Sequence, residues 1–242
     1  MIGKSITELD SVDSTSNYIA KSIEAGNYSW GTAILAHFQT DGRGQRAATW
    51  QSDSGLNLTF SFALPLNGFD SRAYFSVSRA ISLGIVKTLK ASVDNVIQIK
   101  WPNDILADRK KIAGILIENK LGENPAAICG IGMNVNQKEF DDLPHVTSLI
   151  RLSGKNFDKM HVLKELLFNL NQEWELLVSG DFRDQKSRYE AELFGNSQTI
   201  RFRENGLIEE GEIAGTTEDG RLLIRRNDVG KAYLPKSIKL LY

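Results

Sequence analysis

A strand that runs into a proline constrains this chain more than any other segment. Val96-Ile97-Gln98-Ile99-Lys100-Trp101 alternates, so Ile97, Ile99 and Trp101 share one face and Gln98 and Lys100 the other. Pro102 biases Trp101 toward an extended conformation and sets where the strand stops, and Asn103-Asp104 adds turn chemistry. A lysine held at so rigid a strand end suits an anion, because little side-chain freedom is left to lose on binding.

Two return strands extend the pattern. In Ile112 to Glu118, alternation puts Gly114 on the face of Ile112 and Leu116. In Ile128 to Asn134, the alternating set is Ile128, Gly130, Gly132 and Asn134. Glycine weakens a strand interior and often marks close approach of a ligand or another backbone. Two glycines and an asparagine on one strand face therefore predict a flat ligand over the sheet; tight helix-on-sheet packing is the plainer alternative.

A Gly/Arg-rich segment lies upstream, Gln39-Thr40-Asp41-Gly42-Arg43-Gly44-Gln45-Arg46. Gly42 to Ala47 matches the G-x-G-x-x-G/A dinucleotide fingerprint in letters and follows a strand, Thr32 to Phe38. That fingerprint must open a helix. Here the chain passes through Thr49-Trp50-Gln51 into the alternating strand Leu56 to Leu64, so a Rossmann site is excluded. Glycines and arginines between two strands still suit phosphate, through close backbone N–H groups and bidentate guanidinium contacts.

The totals narrow the classes. At 242 residues the chain can hold one sizeable core, or one core and a small module. A net charge of −1 gives no broad electrostatic footprint for nucleic acid or an anionic membrane. The lone Cys129 forbids an internal disulfide, fits a reducing compartment, and sits in the apolar run of a buried residue. His37, His145 and His161 lack zinc spacing, and no dedicated metal site is expected. With neither a membrane-length apolar run nor a signal peptide, a cytoplasmic location is the expectation.

Other elements read more simply. Asp13-Ser14-Thr15 opens a capped amphipathic helix closing at Gly26. On Leu56 to Leu64 the apolar set Leu56, Leu58, Phe60, Phe62 and Leu64 opposes Asn57, Thr59 and Ser61. Helices are predicted over 71–91 and 158–178, strands near 96–101, 112–119 and 126–135, and irregular chain over 140–156. After Gly195, short strands near 198–203, 207–214, 221–226 and 231–234 give a small β-barrel texture, with a domain boundary near 193.

These residues together resemble the biotin–protein ligases, in the short form without an N-terminal DNA-binding domain. The likeness spans most of the chain. It rests on Asp13-Ser14-Thr15, on Gln39 with Gly42-Arg43-Gly44-Gln45-Arg46 and Trp50, on Lys100-Trp101-Pro102-Asn103-Asp104 with Lys111-Ile112-Ala113-Gly114, and on Gly130-Ile131-Gly132-Met133-Asn134. It implies an α+β fold: a class II synthetase-like catalytic domain over 1–193, with a mixed sheet flanked by helices, and an SH3-like barrel over 194–242. It implies that ATP and biotin form biotinyl-5′-adenylate and pyrophosphate, with Mg²⁺ accompanying ATP. The biotinyl group then passes to one lysine of a biotin carboxyl carrier domain of acetyl-CoA carboxylase or a related carboxylase. A homodimer is compatible with it. Because Asp13-Ser14-Thr15 comes so early, no helix-turn-helix precedes it and direct DNA binding is not expected.

The implied roles follow. Lys100 and Arg43 are the catalytic pair. Ser14, Thr15, Ser16, Gln39, Arg43, Gly44, Gln45, Lys100, Gly114, Gly130 and Gly132 surround biotin; Arg43, Arg46, Trp50, Asn103, Lys111 and Asn134 hold ATP or the adenylate. The chain departs from the family's pattern at Ala47-Ala48, where Gly-Arg or Gly-Asn often stands, and at Ser16, often asparagine. Alternatives are a lipoate- or octanoate-transferring relative, a non-catalytic biotin or nucleotide sensor, and a nucleic-acid module around Arg221, Arg225 and Arg226.

Overall fold

The structure is a computed structural model that describes residues 1–45, 48–70, 74–141, 143–180 and 182–241. Arg46 and Ala47 of the Gly/Arg loop, and the first residues of the helix expected from 71, lie outside them. The chain runs β1 (Ser5–Val12), α1 (Thr15–Glu24), β2 (Thr32–Gln39), β3 (Leu58–Pro65) and α2 (Tyr74–Ser92). Then come β4 (Ile97–Lys100), β5 (Asp104–Ala107), β6 (Lys110–Lys120) and β7 (Ala126–Met133). Next are α3 (Leu149–Ser153), α4 (Lys159–Val178) and α5 (Phe182–Ala191). Last are β8 (Thr199–Glu204), β9 (Leu207–Thr216), β10 (Leu222–Arg226), β11 (Val229–Tyr233) and β12 (Ile238–Leu241).

Among the described residues the first seven strands form one sheet, ordered β1-β2-β3-β7-β6-β5-β4. β1 runs parallel to β2 and the other pairs are antiparallel, so the sheet is mixed. The alternation on β3 divides its two environments. Leu58, Phe60, Phe62 and Leu64 join the main core, with Val77, Ile81 and Ile85 of α2 and Leu163, Leu166 and Leu170 of α4. On the opposite face Ile19 of α1 packs on Ile34, Ala63 and Ile128. Cys129 points into the main core, where burial pushes its thiol above the usual range; it is a packing residue.

The structure corrects the sequence reading of β6. A register shift between Ile105 and Leu106 of β5 leaves Ile112 as an extra residue opposite that strand. Alternation breaks there, and Ile112 joins the main core instead of sharing a face with Gly114. The bulge also brings Lys111 beside Gly114, where a Cβ would lie 3.2 Å from Lys111 Nζ.

β1 and β5 were not anticipated. β1 is an edge strand whose two apolar side chains between Ser5 and Ser11, Ile6 and Leu9, are half-buried, so it carries no strong alternation. β5 is four residues long and directly follows the Pro102-Asn103 turn. α3 falls inside the expected irregular region and ends on Gly154, whose φ of 73° suits glycine. α4 matches its expected span, with Asp158 accepting from the Met160 and His161 backbone N–H groups at its N-cap. α5 and β12 also escaped the sequence reading.

β8 to β12 form a second, antiparallel sheet, ordered β11-β10-β9-β8-β12. Its 217–220 turn is fastened to the first sheet's elements by two buried side chains. Trp101 Nε1 donates to Gly220 O at 2.8 Å, and Arg79 of α2 donates to Thr217 O at 2.7 Å. The Arg79 side chain is 2% exposed and lies 5.1 Å from the Phe75 ring centre. Arg79→Ala should therefore remove a charge-assisted hydrogen bond and leave a void, costing about 2–4 kcal/mol of stability. A urea-unfolding midpoint indistinguishable from wild type would contradict that.

Candidate active site

The glycine face of β6 and β7 forms the floor of a cavity of about 220 Å³. Gly114 and Gly132 pair across the two strands, and Gly130 lies two residues along. The space above them is occupied by side chains of this chain. A Cβ at Gly132 would lie 2.3 Å from Trp50 Cε2, and one at Gly130 would lie 2.7 Å from Ser16 Oγ. The Trp50 indole thus lies on Gly132 and touches Gly114. Its Nε1 is buried and has no hydrogen-bond partner among the described residues, an arrangement that a polar neighbour would improve.

Trp50 is placed there by pairing between the two described arms of the Gly/Arg loop, 42–45 and 48–50. Trp50 N donates to Gly42 O at 2.8 Å, Gly44 N to Ala48 O at 2.6 Å, and Arg43 bridges Thr49. A Cβ at Gly42 would come within 2.4 Å of Trp50 O, so glycine is required by close approach. The loop joins two antiparallel strands, and among the described residues no α-helix stands between them.

One wall is a chain of polar side chains. Gln39 Oε1 accepts from Thr15 N at 2.9 Å and from the Thr15 hydroxyl at 3.1 Å. Ser61 Oγ lies 2.7 Å from Thr15 Oγ1 and 3.0 Å from Ser16 Oγ. With the Thr15 proton directed at Gln39, Ser61 donates to Thr15 and accepts from Ser16. Thr15, Ser16 and Ser61 are buried, and burial makes a polar group without a partner costly. Ser14 opens α1 but makes no capping bond; the Asp13 carboxylate instead accepts from Ser14 N at 2.7 Å. That backbone bond, helped by Lys21 and Asn17 against partial burial, holds the Asp13 carboxyl below its usual value.

The cations have partners already. Arg43 donates to both oxygens of Glu118, at 2.6 and 3.1 Å, and to Asn17 Oδ1 at 2.7 Å. Lys111 Nζ lies 2.6 Å from Asp104, while Lys100 Nζ is 3.7 Å from the same carboxylate. Asp104 thus draws the two lysines together at the mouth of the β4–β5 turn.

The structure brings Ser14, Thr15, Ser16, Gln39, Arg43, Gly44, Gln45, Trp50, Asn103, Lys111, Gly114, Gly130 and Gly132 to this cavity. Lys100 is adjacent rather than lining, beside the lining residue Asp104. Asn134 is not a lining residue: it is buried, its amide donating to Thr147 O at 3.0 Å while its Oδ1 has no partner among the described residues. Among the lining residues outside the site prediction, Ser61, Asp104 and Lys236 bring polar or charged groups that matter to the site. Ser61 was already on the polar face of its strand, Asp104 sat within the signature as a turn residue, and Lys236 comes from the second sheet with no local signal.

Comparison with known proteins places this geometry. The model of the biotin/lipoate A/B protein ligase family matches residues 8–136, more than half of the chain and most of the cavity wall. The chain belongs to that family. This ligase-family chain is 29% identical over 248 residues to the bifunctional ligase/repressor BirA of Bacillus spizizenii, covering 99% of the chain and 75% of the relative. It is 28% identical over 183 residues to the biotin–[acetyl-CoA-carboxylase] ligase of Mycobacterium tuberculosis, covering 70% of the chain and 68% of the relative. Among solved structures, the biotin protein ligase of Aquifex aeolicus in complex with biotin and ATP superposes with a TM-score of 0.83 at 28% identity, over 98% of this chain and 99% of that one.

Proposed function

We propose that this chain is a biotin–protein ligase, which activates biotin with ATP and transfers it to a lysine of a carboxylase carrier domain. The observation that carries the reading is the convergence on one cavity of the Thr15–Gln39–Ser61–Ser16 hydrogen-bond chain with Arg43 and Lys111. A compact polar head group such as a ureido ring can exchange bonds with such a chain; a purely aliphatic acid cannot. The full-length likeness to a ligase solved with biotin and ATP supports the same substrates.

The chemistry demands charge control. In the first step a biotin carboxylate oxygen bonds to the α-phosphorus of ATP, and the bond to the β-phosphate oxygen breaks, releasing pyrophosphate. Two anions must meet, so cations fixed where charge develops lower the barrier. We assign that role to Lys100, with Arg43 exchanging Glu118 for a ligand anion and Lys111 and Asn103 beside the phosphates. Arg46 belongs to the same assignment and lies outside the described residues. We assign Mg²⁺ to the triphosphate itself, arriving with ATP. In the second step the carrier lysine's amine bonds to the acyl carbon and AMP leaves; no nucleophile of this chain is needed.

The cavity of about 220 Å³ is smaller than the roughly 300–1,000 Å³ typical of ligand sites. We therefore assign Trp50 a movable part: the indole leaves the glycine floor and packs on the nucleotide side once biotin enters. Asn134 donates its amide N–H to Thr147 O, while its buried Oδ1 has no partner among the described residues, and we keep its assignment to adenine on that open acceptor. We divide the chain into a catalytic unit, 1–193, and a small barrel, 194–242, at the segment where Phe194 N donates to Ile99 O. Among the described residues no helix is long and apolar enough to cross a membrane, and a cytoplasmic site of action is our assignment.

The direct test is mass spectrometry of a biotin carboxyl carrier domain incubated with the chain, biotin, ATP and Mg²⁺. One added biotinyl group on one lysine is expected, and an unmodified carrier would contradict the reading. Ser61→Ala, which leaves two buried hydroxyls short of a partner, should raise the biotin KM about tenfold with little change in the ATP KM. An unchanged biotin KM would remove Ser61 from the site.

A further inference from the structure

We propose that Lys236, from the second sheet, is a polyphosphate-binding residue of the ATP site. The inference rests on the ligase reading above. Lys236 lies in the connection between β11 and β12, yet it lines the same cavity as Thr15, Trp50 and Lys111. Its Nζ donates to Gln45 O of the Gly/Arg loop at 2.8 Å, across 191 positions of sequence.

Its partner distinguishes it from the other lining cations. Arg43 faces Glu118 and Lys111 faces Asp104, so each has a carboxylate near at hand. Among the described residues, the hydrogen bond recorded for Lys236 goes to a neutral carbonyl oxygen. No carboxylate lies within ion-pair distance of this exposed lysine among the described residues, so an incoming anion meets less competition there than at a cation already paired. The exchange leaves no orphan, because Gln45 O also accepts from Ala48 N at 3.2 Å.

The position is built rather than incidental. The turn carrying Lys236 is closed by Ser237 N and Ser237 Oγ, both donating to Leu234 O, at 3.0 and 2.8 Å. Its flanks are fixed in the sheet by β11 pairing with β10 and β12 pairing with β8. The second sheet is itself fastened to α2 and to the Trp101 side chain through Arg79, Thr217 and Gly220. Lys236 also brings positive charge to a loop whose own sequence has alanine at 48.

The test compares the full chain with Lys236→Ala, Lys236→Glu and Lys236→Arg. Pyrophosphate release is measured against ATP at saturating biotin, and biotin affinity is measured without nucleotide. The ATP KM should rise about tenfold in Lys236→Ala, further in Lys236→Glu, and stay near wild type in Lys236→Arg, with biotin affinity unchanged throughout. An ATP KM within twofold of wild type in both Ala and Glu variants overturns the proposal. Equal losses of ATP and biotin binding overturn it too, because they would mean that Lys236 only shapes the loop. A wild-type chain with no biotin-dependent release would instead overturn the ligase reading itself.

Discussion

Lys100→Ala is expected to slow biotin-dependent pyrophosphate release by about a hundredfold to a thousandfold while leaving the fold intact. The first half follows from electrostatics: removing one donor aimed at developing negative charge in a water-poor site commonly costs that much. The second half follows from β4. Ile97, Ile99 and Trp101 anchor the strand in the main core, and Lys100 is on the opposite face with its ammonium 3.7 Å from Asp104. Its loss removes no core contact from those three residues. The urea-unfolding midpoint should therefore stay close to wild type, and biotin should still bind. Unchanged pyrophosphate release would transfer the role to Lys111, which contacts the same carboxylate at 2.6 Å.

Gly132→Val is expected to weaken biotin binding by about thirtyfold or more, read by calorimetry. The floor at Gly132 has no room for a Cβ, since the Trp50 ring already lies 2.3 Å from where it would stand. Valine would force the indole off the sheet and put two methyl groups in the space that biotin takes when Trp50 moves. Overpacking of this kind costs about 1–3 kcal/mol, so a modest loss of stability should accompany the binding defect. Wild-type biotin affinity in this variant would mean that the glycine face exists to seat Trp50 and not a ligand.

These two positions also show what local sequence can and cannot carry. Lys100 and Gly132 were legible because their strands alternate cleanly and a proline or a second glycine fixes the register. β3 was legible for the same reason, and its apolar and polar faces separate in the structure into core and cavity wall. Alternation failed where the backbone broke it: the bulge at Ile112 reversed the expected face of that residue and set Lys111 beside Gly114. β1 was missed because an edge strand with mostly exposed side chains has little hydrophobic pattern. The Gly132 face was expected to await a ligand, and the finding that Trp50 covers it depends on a loop pairing no spacing rule encodes. Lys236 was beyond reach for a related reason. Its meeting with Gln45 depends on how two sheets dock, through Arg79 and Trp101, and not on anything within a few residues of it.

The central claim is that this cavity activates biotin. A pyrophosphate-release assay with ATP and Mg²⁺, comparing biotin, lipoate and octanoate at equal concentrations, tests it most directly. Release that depends on biotin, with lipoate and octanoate at background, is the predicted result. Release driven by lipoate or octanoate, or none with any of the three acids, would contradict the account.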